Sequence, residues 1–159
     1  MSLPFAAPSP EEHARLVAEI GPLPISGPAW PGWVKIVAWL VVAVMGVQIV
    51  RTLGMQSSDV TFTTMGLIVL FCFFGLAVVA FYMQRSITTI SERGLQQTWI
   101  MRREIDWGEI QFAKFVPLLS SKRLIVFTRR GRPLVFQGST QELQVAFAKI
   151  SLLYRRKPH

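Results

Sequence analysis

The residues that most often carry chemistry are scarce in this sequence. Among 159 residues there is one cysteine, Cys72, and two histidines, His13 and His159. A single thiol excludes an intrachain disulfide and a cysteine metal cluster. Flanked by Phe71, Phe73 and Phe74, it reads as a small apolar filler. His13 has no second ligand at helical spacing, so it reads as a solvated histidine rather than a metal ligand. Histidines confined to the two chain ends are poorly placed for a Ser/His/Asp site. Acids are scarce too, nine against 17 Lys and Arg. Glu104, Asp106 and Glu109 lie close together, but beside Arg102 and Arg103, which is the pattern of solvated ion pairing rather than of acid–base catalysis. Gly131 and Gly138 lack the neighbours of a phosphate loop. The expectation is a protein that is not an enzyme, with no cofactor, no metal and no small-molecule substrate.

Charge is missing altogether from two long stretches. None occurs between Lys35 and Arg51, or between Asp59 and Arg85. A helix needs about 20 apolar residues to cross the hydrocarbon core of a bilayer. The second stretch meets that easily, and the first does so as residues 33–53 with Lys35 and Arg51 snorkelling from its ends. A soluble core would need far more chain around two such runs. The pattern predicts a transmembrane helical hairpin over residues 33–83, with spans 33–53 and 63–83. Neither span carries a histidine or an acid, which argues against a haem or quinone pocket and against a transport pathway. The link, residues 52–62, is too short to host a domain.

What is present is a strong excess of positive charge, unevenly spread. Residues 84–159 hold fourteen of the 17 cations and five of the nine acids. Cations close to a span stay cytoplasmic, and Arg85, Arg93, Arg102 and Arg103 follow the second one. An even number of spans returns the N-terminus to the same side. The expected location is therefore a bacterial cytoplasmic (inner) membrane, multi-pass, with both termini cytoplasmic. Trp30 and Trp33 at the first span's entry, with Lys35 and Arg85, read as interfacial anchors; Trp39 lies close by. Gln48 is the one strongly polar side chain deep in the first span. With Gly46 and Gly75 it is a candidate for intramembrane helix contact.

Residues 1–32 read as a cytoplasmic arm rather than a signal peptide, since the start is uncharged. Ser9-Pro10-Glu11-Glu12 is a capping box that opens a short helix with Leu16, Val17 and Ile20 on one edge, stopped at Gly21-Pro22. Its docking place, bilayer or C-terminal region, is open at this point. Pro24, Pro28 and Pro31 predict an extended lead. After Arg85 the period changes to two. Strands are expected at residues 87–90, 95–102, 105–107, 110–116, 124–129 and 134–137, with Gly94 supplying positive φ in the first turn. Ser139 to Glu142 reads as a second capping box, opening a helix that aligns Leu143, Phe147, Ile150 and Leu153/Tyr154 on one face. Short regular strands followed by one helix predict an antiparallel sheet that curls or closes.

The segment Ile87 to Leu95 (ITTISERGL), followed by Glu104-Ile105-Asp106-Trp107-Gly108-Glu109-Ile110, resembles bacterial pleckstrin-homology (PH)-like domains. In those domains a comparable turn leads to an Ile-x-Trp-x-x-Ile segment, often after a pair of membrane helices. The resemblance covers roughly residues 60–155. It implies a partly open antiparallel barrel with a C-terminal capping helix over residues 84–159, an α+β domain beside the α-helical membrane hairpin. Six strands instead of seven depart from that pattern. No ligand is implied.

Lys122, Arg123, Arg129, Arg130 and Arg132 bracket one predicted hairpin, and Arg155, Arg156 and Lys157 end the last helix. Near an anionic leaflet each such cation contributes about 1 kcal/mol. These eight residues are the candidate contact for anionic lipid or a protein partner, set against ordinary positive-inside topology. Basic and aromatic residues do not interleave, so nucleic acid is not an expected partner. The expected partners are the lipid bilayer and another membrane protein or a second copy. Two functions fit: a non-enzymatic membrane-anchored adaptor, or an accessory or assembly subunit of a larger membrane complex.

Overall fold

The computed structural model of the chain describes residues 8–55, 64–118, 122–129 and 131–155. They form two compact units: Gly32–Gln84, and a second built from Met1–Pro31 together with Arg85–His159.

The first unit is a pair of helices, α2 (Gly32–Met55) and α3 (Thr64–Arg85). Both are long and apolar enough to cross a membrane, extending slightly past the expected bounds. The expected link is helical as far as Met55 and otherwise lies outside the described residues. Side chains point outward nearly all round; among the described residues only Val42 and Ala80 of this unit are buried. A helix that is apolar on every face is characteristic of a large protein's core or of a membrane span. The start of α2 is tied to the end of α3: the Lys35 Nζ donates to the Gln84 carbonyl at 3.3 Å, and the Trp39 indole N–H donates to Gln84 Oε1 at 2.8 Å. Lys35 thereby satisfies a carbonyl that the helix terminus leaves open.

In the other unit, α1 (Pro10–Ile20) begins with the expected capping box: Ser9 Oγ accepts from the Glu12 amide, and Glu12 Oε2 accepts from the Ser9 amide. Gly21 ends it at φ 112°. Two antiparallel sheets follow. One orders β1 (Ile25–Pro28), β2 (Ile87–Ile90), β3 (Gly94–Thr98) and β4 (Arg103–Asp106) side by side. The other orders β5 (Ile110–Pro117), β6 (Lys122–Thr128) and β7 (Pro133–Gly138), and helix α4 (Gln141–Leu153) closes the chain order. The layout is α+β.

The strand that six-strand counting omits comes from the N-terminal arm. β1 pairs with β2 from Ile25↔Ile90 to Pro28↔Ile87, so the arm is part of this unit rather than a separate peripheral segment. The question of where α1 docks is answered in the same way: Leu16 belongs to the core, and α1 packs on α4. The sheets do not close into a barrel, and side chains bridge β2 and β4 to β7 instead. The Thr88 hydroxyl donates to the Gln137 carbonyl, and Arg103 Nη1 donates to the Val135 carbonyl at 3.1 Å. Between the sheets and α4 lie Ile90, Leu95, Ile105, Leu124, Val126, Phe136, Leu143, Phe147 and Ile150, all buried.

Three further expectations are corrected. The second predicted strand stops at Thr98, because pairing with β4 begins at Gln97↔Arg103 and leaves Trp99 to Met101 as a turn. Helix α4 is capped by Thr140, whose hydroxyl accepts from the Leu143 amide. Ser139 is drawn elsewhere, its hydroxyl donating to the Pro28 carbonyl at 2.7 Å. Gly94 does not adopt positive φ; it is required because the strands run so close that a Cβ there would meet the Ile105 carbonyl oxygen at 1.9 Å.

Candidate functional site

The basic residues singled out in the sequence do not form one patch. Lys122 and Arg123 begin β6, opposite Gly138 and Gln137 of β7. Arg129 follows the other end of β6, where its amide donates to the Glu109 carbonyl, and the Arg132 carbonyl accepts from the Thr128 hydroxyl. At about 3.3 Å per residue, the length of β6 separates Arg123 from Arg129 by roughly 20 Å. Arg155 is exposed just beyond α4; Arg130, Arg156 and Lys157 lie outside the described residues.

One end of the α+β unit carries the chain's passage into and out of the two long helices. There Pro28 opposes Ile87, and the Ala29 amide donates to the Ser86 carbonyl at 3.1 Å. Thr98 pairs with Ile87 from the other side, its hydroxyl accepting from the Ile87 amide. Ser139 reaches the Pro28 carbonyl with both its amide and its hydroxyl. That contact brings the end of β7, and with it Lys122 and Arg123, to the same end. This junction end therefore gathers Arg85, Arg102, Arg103, Lys122 and Arg123, with Glu104 and, in the first turn of α4, Glu142 the acids among them. Glu104 pairs with Arg102 at 3.2 Å, both side chains well exposed. The opposite end mixes Arg93, Arg129 and Arg132 with Glu92, Asp106 and Glu109, neighbours there through the pairing Gly94↔Asp106 and the bonds of Trp107 to Arg93 and of Arg129 to Glu109. Positive charge thus accumulates at the junction and balances out away from it.

Aromatic residues follow the same division. Trp30 packs against Trp99, ring centroids 6.3 Å apart, and the Arg103 guanidinium lies 5.9 Å from the Trp99 ring centre. Trp33 is exposed in the first turn of α2. At the opposite end Trp107 is buried, its indole N–H donating to the Ser91 carbonyl at 3.1 Å. It stacks on Tyr154, and His13 meets it edge-on with centroids 5.2 Å apart. His13 is therefore a half-buried packing residue, correcting its reading as solvated. Burial pushes the Tyr154 hydroxyl up to about 12.

Within the helical unit, Gly46 faces Phe73, where a Cβ would lie 3.5 Å from the ring, whereas a Cβ at Gly75 would meet open space. Gln48 is exposed; among the described residues its side chain makes no hydrogen bond across to α3, and its carbonyl accepts from the Thr52 hydroxyl. Among the described residues no three His, Cys, Asp or Glu side chains converge as a metal site would require.

The junction surface was only partly legible in the sequence. Lys122, Arg123 and Arg85 were marked, but Ile100 and Met101 were hidden inside an apparent strand. An apolar pair directly followed by Arg102 and Arg103 was the available signal. Comparison with protein-family models, with curated proteins and with solved structures returned no match.

Proposed function

We propose that this chain is a membrane-anchored adaptor without enzymatic activity, in which α2 and α3 span a bacterial inner membrane. The α+β unit is then a PH-like domain held at the cytoplasmic face to bind a protein partner or an anionic lipid surface. One observation carries the reading: the apolar helical pair is inserted between two hydrogen-bonded strands of a compact domain. Neighbouring strands β1 and β2 require the chain to leave and return at one place. A two-span hairpin does so, and the cations at that place favour the cytoplasmic side. The order of four strands, three strands and a C-terminal helix, completed by β1, favours PH-like architecture over an unrelated sheet.

Alkaline carbonate extraction tests the anchor. The full chain stays with the membrane pellet; recovery in the supernatant refutes the reading. Purification in mild detergent from native membranes then separates adaptor from subunit. An adaptor yields a lone particle or small homo-oligomer with a substoichiometric partner. A fixed-stoichiometry complex with a larger integral protein supports the second reading, an accessory subunit. That alternative is favoured by the open apolar groove of the helical pair, lined by Val42, Gly46, Val47, Val50 and Phe73.

A further inference from the structure

We propose that the turn joining β3 to β4 is a second, peripheral membrane contact: Ile100 and Met101 enter the interfacial layer, and Arg102, Lys122 and Arg123 sit among anionic headgroups. The inference rests on the membrane reading of α2 and α3, and deepens it by assigning which face of the domain meets lipid.

The placement follows from strand register. Arg85 ends α3, Ile87 begins β2, and Thr98 lies opposite Ile87. Ile100 is two residues further along and one strand spacing across, which puts it within about 10 Å of Ile87. Whatever solvates the end of α3 is therefore within reach of the turn. The turn is dressed for that solvent. Ile100 is 54% and Met101 77% exposed, although both are apolar and neither packs on the core. Ile87 and Leu118, at the same end of their strands, are also half exposed. In water such a group is costly, whereas an interface accepts apolar side chains and rewards cations at headgroup depth.

The base of the turn is held firmly enough to present this tip. Trp99 is clamped between the Trp30 ring and the Arg103 guanidinium, and Arg103 is itself bonded to the Val135 carbonyl. Arg103 therefore positions the turn, leaving Arg102, which shares an exposed ion pair with Glu104, and the half-buried Lys122 and Arg123 as the cations nearest the headgroups. A protein partner at the same spot would have to share space with headgroups next to the helix ends, and the charge excess at this end matches an anionic leaflet.

The test uses the full chain carrying Cys72→Ser and one new cysteine labelled with a polarity-sensitive fluorophore. It is reconstituted in phosphatidylcholine vesicles with or without phosphatidylglycerol, containing spin-labelled quencher lipid. Met101→Cys and Ile100→Cys report the turn, Glu92→Cys the opposite end, and Val69→Cys a position inside α3 beyond its first turn. The expected result is strong quenching at 69, clear quenching with a blue shift at 100 and 101, and none at 92, with the signal at 101 enhanced by phosphatidylglycerol. Adding Lys122→Gln and Arg123→Gln should lower the docked-to-undocked ratio at 101 roughly thirtyfold in the anionic vesicles. If 69 is quenched but 100 and 101 behave like 92, the proposal is overturned and the turn is left to a protein partner. Quenching at 101 indifferent to phosphatidylglycerol overturns the headgroup half. Absence of quenching at 69 overturns the membrane reading itself.

Discussion

Replacing Trp107 by alanine is the most direct probe of how the α+β unit is held together. Trp107 is 8% exposed and touches three separate parts of the chain. Its indole N–H donates to Ser91 in the β2–β3 turn, its face stacks on Tyr154 after α4, and its edge meets His13 on α1. A buried tryptophan removes about 200 Å² from water, an upper value near 5 kcal/mol at about 25 cal/mol per Å². Alanine retains part of that area, while the hydrogen bond and the ring contacts contribute about 1 kcal/mol each. The expected loss is about 3–5 kcal/mol, in the range observed for large-to-small aromatic changes. Trp107→Phe keeps the stacking and loses the donor, for about 1–2 kcal/mol. Urea unfolding of the full chain in detergent, followed by near-ultraviolet circular dichroism, measures both changes without contribution from helicity retained by α2 and α3. Because His13 loses its ring partner, trypsin cleavage at Arg15 should also accelerate in Trp107→Ala. A loss below about 1 kcal/mol with unchanged cleavage would refute the placement of Trp107 as the post joining α1 and α4 to the first sheet.

Other substitutions probe separate contacts. Gly94→Ala drives a methyl into the Ile105 carbonyl and should cost about 3 kcal/mol or more in the same urea assay, because backbone cannot step aside as a side chain can; a neutral result would mean that β3 and β4 separate freely. Tyr154 titrates near 12 in the folded chain rather than near 10, so the neutral phenol contributes stability below pH 10 that is lost as the pH rises from about 10 to about 12. The decline should be roughly 2–3 kcal/mol and absent in Tyr154→Phe, as read from urea midpoints across that range. Thr140→Ala removes the α4 cap and Ser139→Ala removes the hydroxyl bond to Pro28; each should cost about 1 kcal/mol in thermal unfolding, and equality of both with Gln141→Ala would refute the assigned roles.

Features set by neighbouring residues were legible in the sequence, and features set by distant pairing were not. The capping box of Ser9 and Glu12 is complete within four residues, so it could be read directly. So could the two apolar helices and the buried face of α4. β1 could not: Ile-Ser-Gly-Pro has no alternation, and its extended state is stabilised by Ile87–Ile90, some sixty residues away. Pro28 is tolerated because β1 is an edge strand. Ser139 and Thr140 are equally good caps by composition, and the choice between them falls to the Pro28 carbonyl, which takes Ser139. Local sequence makes Gly94 look like a turn glycine, because positive φ is a local need; its actual reason, the approach of Ile105, lies eleven residues on. The basic residues misled in the same way. They stand together in the sequence as the brackets of one hairpin, and a seven-residue strand carries Lys122 and Arg129 to opposite ends.

The placement of the helical pair between two paired strands sets it apart from a segment attached at a chain end. A tether attached at a chain end can be cut away and leave a domain intact. Here β1 and α1 precede the helices, while β2 to β7 and α4 follow them. The first sheet cannot be completed until β1 meets β2, and that requires both helices to be in place with their ends together. Without β1, Ile87–Ile90 becomes an open edge, and without α1 the surface of α4 that carries Leu153 is uncovered. An unpaired edge beside exposed apolar surface is the ordinary starting point for aggregation. Completion of the first sheet thus depends on the ends of the two helices coming together, and a helix pair with its ends apart would leave that sheet unfinished. The Ala29–Ser86 hydrogen bond and the Ser139–Pro28 contact are where that dependence resides. They join the entry strand, the exit strand and the end of the second sheet at a single point, directly beside the turn that carries Ile100 and Met101.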